Sequence, residues 1–201
     1  MSEPRITSFE ELDGHLDGLV QAARQAPVDP QIVDFLATVR QRLQRIHSYL
    51  TDTPPDTKPP STPPAKTVSD TDDCLEQFGE LTEQARGGGL PSVITNYLHT
   101  ARLRVRFCIG VDGGRRIVKR EGRSGTAELQ WDHSREEVEV VDGSAYGVGV
   151  IGRRPLAPDT VVQLTTEGQE GNRQRYDCLV VYCRGDRSRY QIGLEIFAIS
   201  P

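Results

Sequence analysis

Three Pro-Pro pairs, at 54–55, 59–60 and 63–64, fall within a stretch of Thr, Asp, Ser and Lys spanning residues 51–67. Proline donates no backbone N–H and holds φ fixed, so neither a helix nor a central strand runs through such a segment. It favours extended polyproline II instead, and about 17 residues at about 3.1 Å each reach on the order of 50 Å. Whatever this chain folds into is therefore built from pieces on either side. A plain linker over residues 51–69 is the expectation, in preference to a ligand for a proline-binding domain.

The two sides differ in kind. Residues 1–100 carry 8 Lys+Arg against 15 Asp+Glu, a balance of −7, and residues 101–201 carry 16 against 14, a balance of +2. Anion-handling chemistry thus belongs in the second part. Of the 24 basic residues 21 are arginine, whose planar fork suits bidentate recognition, although genome composition produces the same bias. With 36% hydrophobic and 26% charged residues, the chain has the composition of an ordinary soluble protein able to bury a core. No run approaches 18 consecutive apolar residues and no basic segment precedes an apolar one, so neither a membrane span nor a secretory signal is expected, and a cytoplasmic location is the default. Cys74, Cys108, Cys178 and Cys183 form no CxxC, and His15, His47, His99 and His133 lack ligand-like spacing. The thiols are expected to be reduced and structural, with no metal site and no cofactor.

Before the linker, Ser8-Phe9-Glu10-Glu11 has the form of a capping box, and Phe9, Leu12, Leu16, Leu19 and Ala23 step by three and four. Asp29-Pro30 opens a second helix with Ile32, Leu36, Val39, Leu43, Ile46 and Leu50 on one stripe. Residues 1–50 thus predict a helical hairpin. Two helices bury too little surface to stand alone, so the hairpin is expected to self-associate or to dock on a protein partner rather than pack on its own C-terminal domain.

After the linker, Asp70 to Asp73 can cap a short helix carrying Leu75, Phe78, Leu81 and Ala85, ended by Gly87-Gly88-Gly89, and Pro91 opens another turn or two to about Thr100. Leu103, Val105, Phe107 and Ile109 then alternate with Arg102, Arg104, Arg106 and Cys108, which predicts a strand. Residues 70–111 are accordingly expected to be short helices with a connecting strand. Six further strands are expected near Thr126–Trp131, Glu137–Val141, Gly147–Ile151, Thr160–Thr165, Tyr176–Cys183 and Tyr190–Phe197, with no helical period between them. The fold class is α+β: helical hairpin, Pro-rich linker, and a small antiparallel β-barrel or sandwich over residues 112–201.

Two motifs in this last region carry chemistry. Arg115-Arg116-Ile117-Val118-Lys119-Arg120 places two arginines four apart behind the flexible Asp112-Gly113-Gly114, and Asp142-Gly143-Ser144-Ala145-Tyr146-Gly147 is an acid–hydroxyl–glycine turn. With Tyr190-Gln191-Ile192-Gly193-Leu194-Glu195-Ile196-Phe197 as a closing strand, the region resembles the PilZ domain family, the bacterial receptors for cyclic di-GMP. Arg116 and Arg120 fit its RxxxR, and Asp142, Ser144 and Gly147 fit its [DN]xSxxG. The resemblance spans about residues 112–199. Arg102-Leu103-Arg104-Val105-Arg106 also spells RxxxR, but it lies 36 positions before Asp142 and is read as framework.

The resemblance implies that the arm wraps over the ligand, often an intercalated dimer, while the turn holds it on the barrel. Arg116 and Arg120 would supply guanidinium forks to guanine O6 and N7 and to phosphate. Asp142 would accept from guanine N1–H and the exocyclic amine, Ser144 would donate to phosphate or orient the turn, and Gly147 would permit close backbone approach. The resemblance further implies Arg115 as a third contact, at a position that in the family affects how many ligand molecules are held. Tyr146 is larger than the small residue expected there, and either stacks on a base or crowds the site.

Two other motifs are set aside. Gly147-Val148-Gly149-Val150-Ile151-Gly152 spells GxGxxG, but that fingerprint must open a helix, and β pattern follows it here. Ser144, His133 and Asp142 lack the G-x-S-x-G context of a hydrolase, so no catalysis is expected. The expected function is that of a bacterial cyclic di-GMP effector or adaptor, with a PilZ-like interaction module that binds no nucleotide as the alternative. Single-stranded nucleic acid is a poor fit, because only 6% of residues are aromatic.

Overall fold

The computed structural model describes residues 5–52, 67–108, 121–144, 146–167 and 172–200. The chain forms two compact units, Met1–Ile117 and Val118–Pro201. Residues 53–66, and with them all three Pro-Pro pairs, lie outside the described residues.

The first unit holds four helices: α1 (Phe9–Gln25), α2 (Pro30–Thr51), α3 (Thr71–Gly87) and α4 (Ser92–Cys108). The starts of the first three were legible because their caps are local. Ser8 Oγ accepts from Glu11 N at 3.1 Å while the Glu11 carboxylate reaches back to Thr7 N at 2.9 Å. Asp29 accepts from Gln31 N at 2.8 Å ahead of Pro30, and Asp70 accepts from Asp73 N at 3.0 Å. Each satisfies an amide that the first helical turn leaves without a partner.

α1 packs on α2 and α3, and α4 packs on the same two helices. Of the predicted stripes, Leu12, Leu16, Leu19, Ile32, Leu36 and Leu43 are among the residues buried in this four-helix packing, whereas Leu50, near the end of α2, is exposed. The partner that the hairpin needs is therefore supplied by the same chain. This corrects the expectation of a separate hairpin over residues 1–50 that must self-associate or dock to cover its faces. Polar clamps reinforce the seams: Arg40 bonds Asp13 through Nε at 2.8 Å and its terminal nitrogen at 2.9 Å and also pairs with Asp17, joining α2 to α1.

The strand expected over 102–109 is likewise corrected, since residues 92–108 are helical. Ile94, Tyr97, Leu98, Ala101 and Val105 are buried, and their steps of three, one, three and four trace one helical stripe. The local alternation around Leu103 covered too few residues to outweigh burial of that stripe against α2 and α3. Arg102, the first residue of the rejected RxxxR copy, pairs with Glu83, and its Nε lies 3.2 Å from where a Cβ on Gly79 would stand. It clamps α4 to α3, so its framework role holds, on a helix instead of a strand.

The second unit is a closed antiparallel barrel of six strands: β1 (Glu121–Trp131), β2 (Ser134–Ser144), β3 (Gly147–Gly152), β4 (Val161–Glu167), β5 (Arg173–Asp186) and β6 (Arg189–Ser200). Their order around the barrel is β1-β2-β3-β6-β5-β4, with β4 pairing back to β1. The interior is filled by alternating residues such as Leu129, Val138, Val150, Leu164, Val180 and Ile192. Closure leaves no free sheet edge, which lets a barrel of this size stay monomeric without exposing a pairing template.

Candidate functional site

β2 and β3 form a tight hairpin in which Ser144 pairs with Gly147 across residues 145–146. Ser144 Oγ donates to Gly147 O at 3.3 Å and accepts from Tyr146 N at 3.3 Å, and Tyr146 O accepts from Ile196 N at 3.1 Å. The hydroxyl thus stitches its own turn, and the turn is fastened to β6. Of the two roles expected for Ser144, orienting the turn is the one formed. One oxygen lone pair remains for another donor.

The direction of Asp142 depends on a defect in the strand. Val138 and Val140 point into the barrel, and in a regular strand Asp142 and Ser144 would follow them inward. The β2–β3 register shifts between Val140 and Asp142, leaving Val141 as an extra residue. Beyond this bulge Asp142 lies opposite Gly149 and Ser144 opposite Gly147, while Gly143 faces the core residue Val148. The inserted residue therefore turns the acid and the hydroxyl to the outer surface, a common use of bulges beside functional sites. Both are half-buried.

A second bulge does the same on the far side. The β5–β6 register shifts between Val180 and Tyr182, so Tyr182 turns outward opposite Gly193 while Val180 and Cys183 stay against the core. A Cβ on Gly193 would lie 2.2 Å from Tyr182 Cε1, which shows the ring seated directly on the glycine backbone. Arg184, two residues on and on the same face, places its guanidinium carbon 5.2 Å from the centre of that ring.

Following the pairing across four strands gives one outward row, Asp142–Gly149–Gly193–Tyr182, and below it a second, Ser144–Gly147–Glu195–Leu179. Glycine holds three of the four central positions, all three buried, with the Tyr182 ring over Gly193, so an acid and a hydroxyl on β2 and an aromatic ring and a guanidinium on β5 flank a strip that carries little side chain of its own. The fourth, Glu195, is a carboxylate only 3% exposed.

Asp142, Ser144 and Gly147, the contacts expected on the turn, are thus brought together on one face. Arg115, Arg116 and Arg120 lie outside the described residues. Tyr182, Arg184, Gly149, Gly193 and Glu195 were not singled out from sequence. A usable signal existed for two of them, since glycine in mid-strand marks close backbone approach. The direction of Tyr182 carried no signal, because it follows from the bulge.

The GxGxxG string is strand β3 followed by a bend, not a helix start. His133 sits in the β1–β2 turn, at the opposite end of β2 from Ser144 and about 30 Å away along an 11-residue strand. Burial drives the Cys178 thiol far up from its ordinary value, with Asp177 and Glu195 adding to the shift, and burial followed by Asp73 pushes Cys74 up to about 11. Among the described residues no group of three or more His, Cys, Asp or Glu is placed to hold a metal ion, and no helix is long and apolar enough to cross a membrane. No family model matches the chain, and no curated protein matches it.

Proposed function

We propose that the barrel is a PilZ-like receptor for cyclic di-GMP, holding the dinucleotide between an arm containing Arg116 and Arg120, with Arg115 as a third contact, and the face of Asp142, Ser144 and Gly147. The observation that carries this reading is the bulge at Val141, which puts the acid and the hydroxyl of the DxSxxG motif side by side on the outer surface against glycine. A second supports the arm: Glu121, the residue after Arg120 in the chain, pairs with Gly143, and Gly122 pairs with Asp142.

Asp142 accepts from the guanine N1–H and amine, and the arginine forks take guanine O6 and N7 and the phosphates. Ser144 keeps its turn rigid and accepts one further hydrogen bond. The protein acts by binding alone. A ligand that orders the arm shifts the chain between two states, and an effector reports that difference to a partner in the cytoplasm.

The test is calorimetric titration of the full chain with cyclic di-GMP, GTP and a single-stranded oligonucleotide. Cyclic di-GMP is expected to bind and the others not to compete. Losing one bidentate contact costs about 1–3 kcal/mol, so Arg120→Ala and Asp142→Ala are each expected to weaken binding roughly 10-fold or more. Absence of cyclic di-GMP binding by the wild-type chain refutes the reading and favours the interaction module.

A further inference from the structure

We propose that Tyr182 and Arg184 on β5 form the second wall of this site and take one face of a purine base, so that the pocket is closed from β2 by hydrogen bonds and from β5 by stacking. The proposal rests on the nucleotide reading above.

The first argument is directional. Tyr182 points outward only because Val181 is inserted, just as Asp142 does only because Val141 is, and the two bulges flank the same β3–β6 pair. The second is spacing. Asp142 and Gly193, on which the Tyr182 ring is seated, occupy one cross-strand row two strands apart, about 10 Å between backbones, a span on the scale of a purine nucleoside. The third is surface chemistry. Gly193 gives the ring a backbone seat, and the Arg184 guanidinium lies over the ring, so the ring backs the guanidinium and the two form one layer. An exposed guanidinium plane carried on an aromatic ring can stack on a base and give charge-assisted hydrogen bonds to its phosphate.

The test uses the full chain and calorimetry with cyclic di-GMP, GMP and GTP. Tyr182→Phe keeps the ring and is expected to bind within about 2-fold of wild type. Tyr182→Leu keeps an apolar cover on Gly193 but removes the π face, and is expected to bind roughly 5- to 100-fold more weakly. Gly193→Ala displaces the ring and leaves the Asp142 side chain in place, and a comparable loss is expected. Circular dichroism of each variant checks the barrel. If Asp142→Ala weakens binding but Tyr182→Leu and Gly193→Ala do not, the second wall is overturned while the nucleotide reading stands. If cyclic di-GMP does not bind but GMP or GTP does, with the Tyr182→Leu loss, the reading falls and the wall stands. If no nucleotide binds, both fall.

Discussion

Gly88, the residue that closes α3, is held against the N-terminal segment so tightly that a single methyl group tests the packing. A Cβ there would stand 1.5 Å from Ile6 O and 2.4 Å from Ile6 C. Its own backbone, at φ −89° and ψ −8°, is open to alanine, so the conflict is wholly with residue 6. Backbone cannot yield by 1.5 Å without leaving, and Gly88→Ala is therefore expected to detach the segment. Detachment exposes Ile6, now 2% exposed, and breaks the bond from Ile6 N to Gln84 O at 3.3 Å. Exposing isoleucine costs about 1.5–3 kcal/mol and the hydrogen bond about 0.5–1.5 kcal/mol. The lost flexibility of the unfolded chain returns about 0.4–1 kcal/mol, leaving a net destabilisation of about 1–4 kcal/mol. Urea unfolding followed by the helical signal measures it. The decisive comparison is the same substitution in a chain shortened to begin at Thr7, where nothing opposes the methyl group and alanine should be neutral or stabilising. An equal cost in both backgrounds would refute the argument, because the clash would then not be its source.

Other outcomes follow from local electrostatics and packing. Hydrogen bonds from Gln77 and the Ser69 amide hold the Asp73 carboxyl below its ordinary 3.8, and its own amide and Ser8 hold Glu10 below 4.5. A depressed carboxyl contributes stability that is present above the unfolded value and lost as pH falls through the folded one. The urea midpoint of the helices should thus hold steady down to about pH 5 and drop below it, and Asp73→Asn with Glu10→Gln should narrow the difference between neutral and acid midpoints. An unaltered difference would contradict the assignment. At mildly alkaline pH, iodoacetamide followed by peptide mass mapping should leave Cys74 and Cys178 unmodified in the native protein and label them in urea, since burial keeps both thiols protonated. Leu164→Ala, at a site with no exposure in the barrel core, should cost about 2–5 kcal/mol in the barrel transition.

The helix starts at Ser8, Asp29 and Asp70 were legible because a cap is settled within four residues, and the barrel strands because short runs of alternation or of β-branched residues survive in them outside the bulges. α4 was misread for the same reason in reverse. Between Arg102 and Cys108 the alternation is genuine, and only burial of Ile94, Leu98, Ala101 and Val105 against α2 and α3 made the longer helical period win.

The site divides along the same line. Sequence alone identified Asp142, Ser144 and Gly147 as a group, because a turn motif is contiguous. It left open which way Asp142 faces and said nothing of Tyr182, because side-chain direction in a strand flips with every inserted residue and the inserted residues are defined only by the partner strand. By itself, then, the sequence determined the first three helix caps, the barrel strands and the turn. The tertiary structure decided that the helices cover one another, that residues 92–108 form a helix, and that two bulges aim an acid and an aromatic ring at the same strip of glycine. Those three outcomes depend on contacts between segments far apart in the chain, which no local period records.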